Sequence, residues 1–482
     1  MHPPRRNLMT DQKSEFQQSV RLPVPARDAF DWHARPGAFE RLNPPWAPAR
    51  LVLRSGGIED GARIEFIVRL GPLRQRWVAE HRGFVDGRQF QDVQVRGPFA
   101  EWEHTHTILP EGDSGWVRRR RAIQGDSACE LRDEIRYRLP AGALGRLLAG
   151  GMIERQLRRV FRYRHRVTAA DLSVHARYSE GRAMKILVSG SSGLVGSQLC
   201  PFLATGGHEV VPLTRPKSNA AADAVHWDPA GGTIDRDKLD GFDAVVHLAG
   251  ENIGDRRWSA EQKAKIRNSR VDGTRLLCTA LASLDRPPKT VVCASAIGFY
   301  GDRGDELLDE SSSPGEGFLP DVCRDWEAAC EPAREKGIRV VNTRFGVVLS
   351  PQGGALAKML FPFKMCAGGA IGGGKQYWSW VALDDVISAI LHALATESVK
   401  GPVNVVSPHP VTNRDFTKTL GRVLGRPTIL PMPAFLARLA LGEMADDLLL
   451  ASARVQPKRL QETGYEFRFC ELEPALRHLL GK

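Results

Sequence analysis

The stretch MKILVSGSSGLVGSQL, residues 184–199, decides the fold of the larger part of this 482-residue chain. Its first six residues are a short apolar run that ends at a turn, the mark of a buried strand. Gly190, Ser191, Ser192, Gly193, Leu194, Val195 and Gly196 follow, and a helical stretch opens near 193–206. Three glycines between a strand and a helix form a dinucleotide fingerprint. The first permits the tight turn, the second lets the backbone approach a pyrophosphate, and the third lets helix pack on strand. The phosphates would sit on the free N–H groups of the helix start. A glycine triplet alone serves any tight turn, so the surrounding pattern matters.

Working outward, apolar strand runs recur at 208–213, 242–250, 289–296 and 338–349. Helical stretches near 259–284, 320–336 and 384–396 fall between or after them. This alternation predicts an α/β domain over 184–482, a Rossmann-type doubly wound parallel sheet covered on both faces. A small C-terminal substrate region is expected over about 400–482. The second strand ends in Thr214 and Arg215, with no acidic residue before Asp223. An NAD site places a carboxylate there for the ribose diol, whereas a guanidinium pairs with a 2′-phosphate through two parallel hydrogen bonds. NADP (as NADPH) is therefore the expected cofactor; the alternative is a surface arginine that merely ends a strand. The small residues closing Leu248, Ala249 and Gly250 would let the adenosine side of the cofactor lie against the backbone.

Together with ASAIGFYGD (294–302), RFGVVL (344–349) and WSWVALDDV (378–386), these segments resemble the extended short-chain dehydrogenase/reductase superfamily, which includes nucleotide-sugar epimerases. The tail from LGEMADDLLL onward resembles the C-terminal extension of an atypical subgroup labelled as NAD(P)-dependent epimerases. The resemblance implies a tyrosine with a lysine four residues on, and none of the six tyrosines has one. Their usual places fall at about Leu319 and Cys323. The superfamily's helix asparagine is replaced by Arg270, which implies a cationic contact to cofactor or substrate, with Lys265 a second candidate. The catalytic candidates that remain are Ser295, Tyr300 and Cys323, the alternatives being a strand-end hydroxyl, loop packing and a buried thiol. Asp384 and Asp385 are expected to cap the following helix rather than bind metal.

Ahead of this domain, residues 63–70, 74–85, 90–95, 101–109 and 130–139 read as strands separated by turns at Gly71-Pro72, Asp86-Gly87, Gly97-Pro98 and Gly112-Asp113. One helix is expected near 25–41 and a second from about Gly142 to Ala170. The order resembles the START-like (SRPBCC, cyclase/dehydrase) helix-grip fold over about 15–172, an α+β domain with an apolar cavity. A disordered start (1–14) and a linker (173–183) complete the expected organisation. Trp102, His104, His106 and Ile108 share one strand face and are candidates to line the cavity. No third ligand stands at suitable spacing from His104 and His106, so no metal is expected.

Net charge is +11. Residues up to 183 hold 32 Lys/Arg against 22 Asp/Glu, and those beyond hold 35 against 34. Such a basic region attracts anionic ligands. Arg118–Arg121 alternate across two strand faces, which argues against a nucleic-acid stripe. No apolar run reaches the length of a membrane span, no secretory leader is seen, and the eight cysteines lack metal or disulfide spacing; a cytoplasmic protein is expected. Two functions fit. One is an NADP-dependent oxidoreductase or epimerase-like enzyme acting on a small-molecule substrate, coupled to a domain for an apolar or anionic ligand. The other is a non-catalytic NADP(H)-binding regulatory or scaffold module.

Overall fold

The computed structural model describes residues 13–70, 73–111, 128–178, 182–215 and 224–482. Of the start expected to be disordered (1–14), residues 1–12 lie outside the described residues, as do the turns at Gly71-Pro72 and Gly112-Asp113 and the Arg118–Arg121 run, whereas Ser14 already opens the first strand. The chain divides into two compact units, one up to Tyr178 and one from Arg182 onward.

In the first unit, β1 (Ser14–Leu22), β2 (Arg50–Ser55), β3 (Arg63–Leu70), β4 (Leu73–Val85), β5 (Gln89–Arg96), β6 (Glu101–Pro110) and β7 (Cys129–Arg138) form one antiparallel sheet. Its order is β1-β7-β6-β5-β4-β3-β2. Register shifts between β2 and β3 and between β4 and β5 bend it, as bulges do. Helices α1 (Ala26–Ala34) and α2 (Ala38–Arg41) follow β1, and α3 (Gly142–Tyr178) follows β7. Strand alternation buries His104, His106 and Ile108 on β6 and Leu131, Asp133 and Ile135 on β7. Leu157, Phe161 and Leu172 of α3 pack against that face. A doubly hydrogen-bonded pair, Arg41 to Asp171 at 2.8 Å on both arms, ties α2 to α3. This is the helix-grip arrangement. Residues 173–178, expected as linker, continue α3, because no Gly or Pro interrupts the sequence before Gly181.

In the second unit, eight strands run in the order β11-β10-β9-β8-β12-β13, then Arg339–Phe345 and Gly401–Val405. The labelled strands are β8 (Lys185–Ser189), β9 (Glu209–Thr214), β10 (Val225–Asp228), β11 (Thr233–Ile234), β12 (Ala244–His247) and β13 (Thr290–Ala296). Only β11 is antiparallel to its neighbour. Helices α4 (Gly196–Thr205), α5 (Ala260–Ala282) and α6 (Phe318–Ala328) cover it. All of β12 is buried, as a parallel sheet enclosed by helices requires. Strand order reverses beside β8, which opens a crevice at the carboxyl ends of β8 and β12. The C-terminal core is wider than 400–482. It joins Leu356, Trp378 and Trp380 to Phe416 and Leu476, while Gly401–Val405 belongs to the main sheet.

Candidate functional site

The glycine turn is built without slack. Gly190 has φ +69°, a left-handed conformation that glycine adopts without penalty, and a Cβ there would lie 2.9 Å from the backbone of Leu248 and Ala249. At Gly196 a Cβ would stand 2.2 Å from Gly190 O. Gly193 N–H donates to that same oxygen at 2.9 Å, closing the turn. Ser192 and Gly193 are exposed and Ser191 partly so. Leu194 packs against Gly353, and the Val195 carbonyl accepts from Leu199 as α4 begins. The result is a backbone cradle at a helix N-terminus, which fits a pyrophosphate.

Beneath the cradle lies a polar chain that sequence reading did not find. Ser189 Oγ accepts from Leu248 and Ala249 N–H at 3.1 and 3.2 Å. Its proton then points to His247 Nδ1, 2.6 Å away. His247 Nε2–H donates to Thr274 Oγ1, which also receives Trp326 Nε1–H. Burial pushes His247 down to about 4, so the imidazole is neutral and this tautomer fixes the strand end.

At the end of β9, Thr214 Oγ1 is buried without a hydrogen-bond partner, and Arg215 is exposed. Arg270 stands beside Gly250, where a Cβ would lie 3.3 Å from its guanidinium carbon. Its guanidinium stacks over Trp326 and donates to Ile266 O. Lys265 is exposed and paired with Glu261 at 2.6 Å, a partner on its own helix rather than on the glycine turn. Asp384 and Asp385 do not cap their helix. Asp385 accepts from Arg468 and Phe469 N–H, and Asp384 meets His478 at 3.1 Å.

Ser295 lies at the carboxyl end of β13 and donates to Glu327 Oε1 at 2.7 Å. Arg344 grips the same carboxylate through Nε and Nη2. Tyr300, expected as a catalytic candidate, is wholly buried. Its hydroxyl faces Asp309 O and Asn404 Oδ1 and accepts from Arg344 Nη1. With those partners the hydroxyl braces the core.

The first unit encloses a cavity of about 510 Å³ between sheet and α3, lined by aromatic side chains including Phe66, Trp77, Phe90 and Trp102. One wall is polar. His104 and His106 both lie against Asp92 and Asp133: His104 Nε2 is 2.9 Å from Asp133 Oδ1 and His106 Nε2 is 3.3 Å from Asp92 Oδ2. His165 of α3 bonds the other oxygen of Asp133 at 2.6 Å. Burial opposes the charge on Asp133, but its three histidines outweigh it and hold the carboxyl far below its usual range. The expectation that no third group stands by the histidine pair is therefore corrected. Cross-strand register puts Asp92 opposite His104 and Asp133 opposite His106, a proximity that spacing along one strand does not reveal.

Comparison with known proteins follows the same division. The profile of the NAD dependent epimerase/dehydratase family matches residues 186–406, and a domain of unknown function matches 432–479. Residues 22–162 match the polyketide cyclase/dehydrase and lipid transport family. An epimerase family protein of Mycobacterium leprae is 41% identical over 297 residues, 62% of this chain and 96% of that protein. The chain belongs to this epimerase family. The crystal structure of a nucleoside-diphosphate sugar epimerase from Corynebacterium glutamicum superposes with a TM-score of 0.77 at 34% identity, covering 97% of this chain and 90% of that one. The human epimerase family protein SDR39U1, solved with NADPH, gives a TM-score of 0.57 at 34% identity over 62% of this chain and 99% of its own.

In this epimerase family member, Leu319 and Cys323 sit one turn apart on α6 and face Gly298, just past Ser295. A Cβ on Gly298 would lie 3.4 Å from Leu319 and 3.8 Å from Cys323 Sγ. Burial pushes the Cys323 thiol up to about 12, which keeps it protonated and of low nucleophilic reactivity near neutrality. Glu327 and Arg344 were missed as site residues. Glu327 stands in WEAAC (326–330) and Arg344 in the quoted RFGVVL, but only the pairing of β13 with Arg339–Phe345, which sets Ser295 opposite Arg344, brings them to Ser295.

Proposed function

We propose that residues 184–482 hold NADPH and catalyse a reversible hydride transfer at an alcohol or carbonyl carbon of a small substrate, as an oxidoreductase or an epimerase. The carrying observation is that Ser295, with its Glu327 partner, lies at the same sheet edge as the glycine cradle. Ser189 pairs with His247 and His247 with Cys293, two residues before Ser295. When bound, NADPH would supply the hydride and its oxidised form NADP+ would accept it. The cradle, Thr214-Arg215, Leu248–Gly250 and Arg270 are the residues that would hold it, and the NADPH of the human relative supports that choice.

The chain's own part is the proton. In the oxidising direction Ser295 Oγ takes the proton of the substrate hydroxyl while passing its own to Glu327 Oε1; the reducing direction reverses both transfers. Arg344 orients the carboxylate by bonding both of its oxygens, so Glu327 Oε1 stands as the proton acceptor. The sugar-nucleotide relative from Corynebacterium glutamicum makes nucleoside-diphosphate sugars the first substrates to try. The apolar cavity of residues 15–172 holds a hydrophobic ligand, with Arg164 among its lining suiting an anionic end. The missing Tyr/Lys pair supports a second reading, a non-catalytic NADPH-binding module. NADPH oxidation against a panel of carbonyl compounds, together with product analysis for epimers of sugar nucleotides incubated with NADP+, separates them: either turnover supports the enzyme, and saturable NADPH binding with neither supports the module.

A further inference from the structure

The polar wall of the first unit's cavity resembles no ordinary buried ion pair, because several donors converge on one point. Asp92, His104 and His106 offer ligand atoms that all lie within 4.8 Å of one another. His106 Nε2 and His104 Nδ1 are 3.3 and 3.6 Å from the same oxygen, Asp92 Oδ2. Donor atoms about 3.4 Å apart are what tetrahedral coordination at roughly 2.1 Å requires.

The outer nitrogens are anchored as well. His104 Nε2 and His106 Nδ1 both reach Asp133 Oδ1, at 2.9 and 2.7 Å, so one carboxylate orients two imidazoles, as the outer carboxylates of metal sites do. His165 holds its other oxygen. The contact from His106 Nδ1 is out of line for a hydrogen bond, and His81 Nδ1, 3.0 Å from Asp92 Oδ1, is likewise buried without an aligned partner. Asp92 keeps 24% of its side chain exposed, and it and both histidines line the cavity.

We infer that Asp92, His104 and His106 form a three-ligand site for a divalent transition ion, with Asp133 as its orienting carboxylate and the open coordination positions facing the apolar cavity. Two imidazoles and one carboxylate suit Zn²⁺ or Fe²⁺. A cavity ligand carrying a carboxylate, hydroxyl or carbonyl oxygen would place that oxygen on the ion.

The full-length chain, stripped with chelator, is dialysed against Zn²⁺ and its metal content measured. One Zn²⁺ per chain is expected, lost in Asp92→Asn and His106→Ala and weakened about tenfold to a hundredfold in Asp133→Asn. Cys366→Ser/Cys470→Ser, which removes the exposed thiols, leaves it unchanged. Asp92→Asn is nearly isosteric, and circular dichroism checks that it folds. Loading with Co²⁺ and adding azide tests the open positions through the visible spectrum. No retained Zn²⁺, or retention unchanged in Asp92→Asn, overturns the site. A Co²⁺ spectrum indifferent to azide overturns its opening to the cavity.

Discussion

Arg344 holds both oxygens of Glu327, Nε to Oε1 at 2.8 Å and Nη2 to Oε2 at 2.9 Å, with only 4% of the arginine side chain and 14% of the glutamate exposed. The guanidinium also lies 3.5 Å from the centroid of the Phe299 ring. Removing one partner of such a pair leaves an uncompensated buried charge. Glu327→Ala is therefore expected to lower unfolding free energy by about 3–5 kcal/mol, read from urea denaturation. A loss below about 1 kcal/mol would show the pair to be solvated.

Gly196→Ala is expected to abolish NADPH binding. The added methyl would stand 2.2 Å from Gly190 O and 2.7 Å from Ser191 Cα, both backbone atoms that cannot step aside. Gly193→Ala meets only Gly190 O, at 3.2 Å, so it disturbs the fold less and acts by crowding the cofactor. Nucleotide fluorescence titration beside a thermal melt separates the two: Gly196→Ala should lose binding and stability together, Gly193→Ala mainly binding.

The exposed Arg215 at the end of β9 predicts that NADPH binds at least tenfold tighter than NADH, about 1.4 kcal/mol. Arg215→Ala should remove most of that preference while leaving NADH affinity nearly unchanged. Equal affinities in the parent protein would take Arg215 out of the site.

How much of this was legible in the sequence follows from the range of each interaction. The cradle was readable because its constraint is local: Gly190 and Gly196 meet within one turn. The sheet was readable from apolar runs, yet β10 and β11 were not, since VHWD and the pair Thr233-Ile234 are too short to show a period. Glu327 and Arg344 were invisible as a pair because their meeting depends on strand register and on where α6 crosses β13. The same holds for Asp92 and Asp133, which reach His104 and His106 from neighbouring strands. Ser189 and His247 look like ordinary strand residues until the two strands pair.

Asp385 carries a pH dependence. Burial lifts its carboxyl to about 7, against two backbone N–H bonds that favour the charge, whereas the unfolded chain releases that proton near about 3.9. Between these values the folded state binds more protons, so this group's contribution to stability falls as pH rises from about 4 to about 7 and is flat above. Asp385→Asn should abolish that fall. Denaturation of both proteins at several pH values tests it, since His247, which acts in the opposite sense, is common to both and cancels in the difference. Parallel stability curves would exclude a raised Asp385.

The three catalytic candidates should separate cleanly once a substrate is in hand. Ser295 has a hydroxyl placed between the sheet edge and Glu327, so Ser295→Ala should cut turnover at least tenfold, the scale of a positioned proton-transfer group, with NADPH affinity unchanged. Cys323→Ala should leave turnover within about twofold, because a thiol pushed up to about 12 stays protonated and of low nucleophilic reactivity near neutrality. Tyr300→Phe should behave differently from both. Its hydroxyl serves Asn404, Asp309 and Arg344, and deleting it leaves buried polar partners unpaired at about 1–3 kcal/mol. The loss should appear in the melting curve and not in the dependence of rate on pH. If Tyr300→Phe instead lowers turnover tenfold at unchanged stability while Ser295→Ala does not, the proton passes through Tyr300 and the Ser295–Glu327 pair is only a structural clasp.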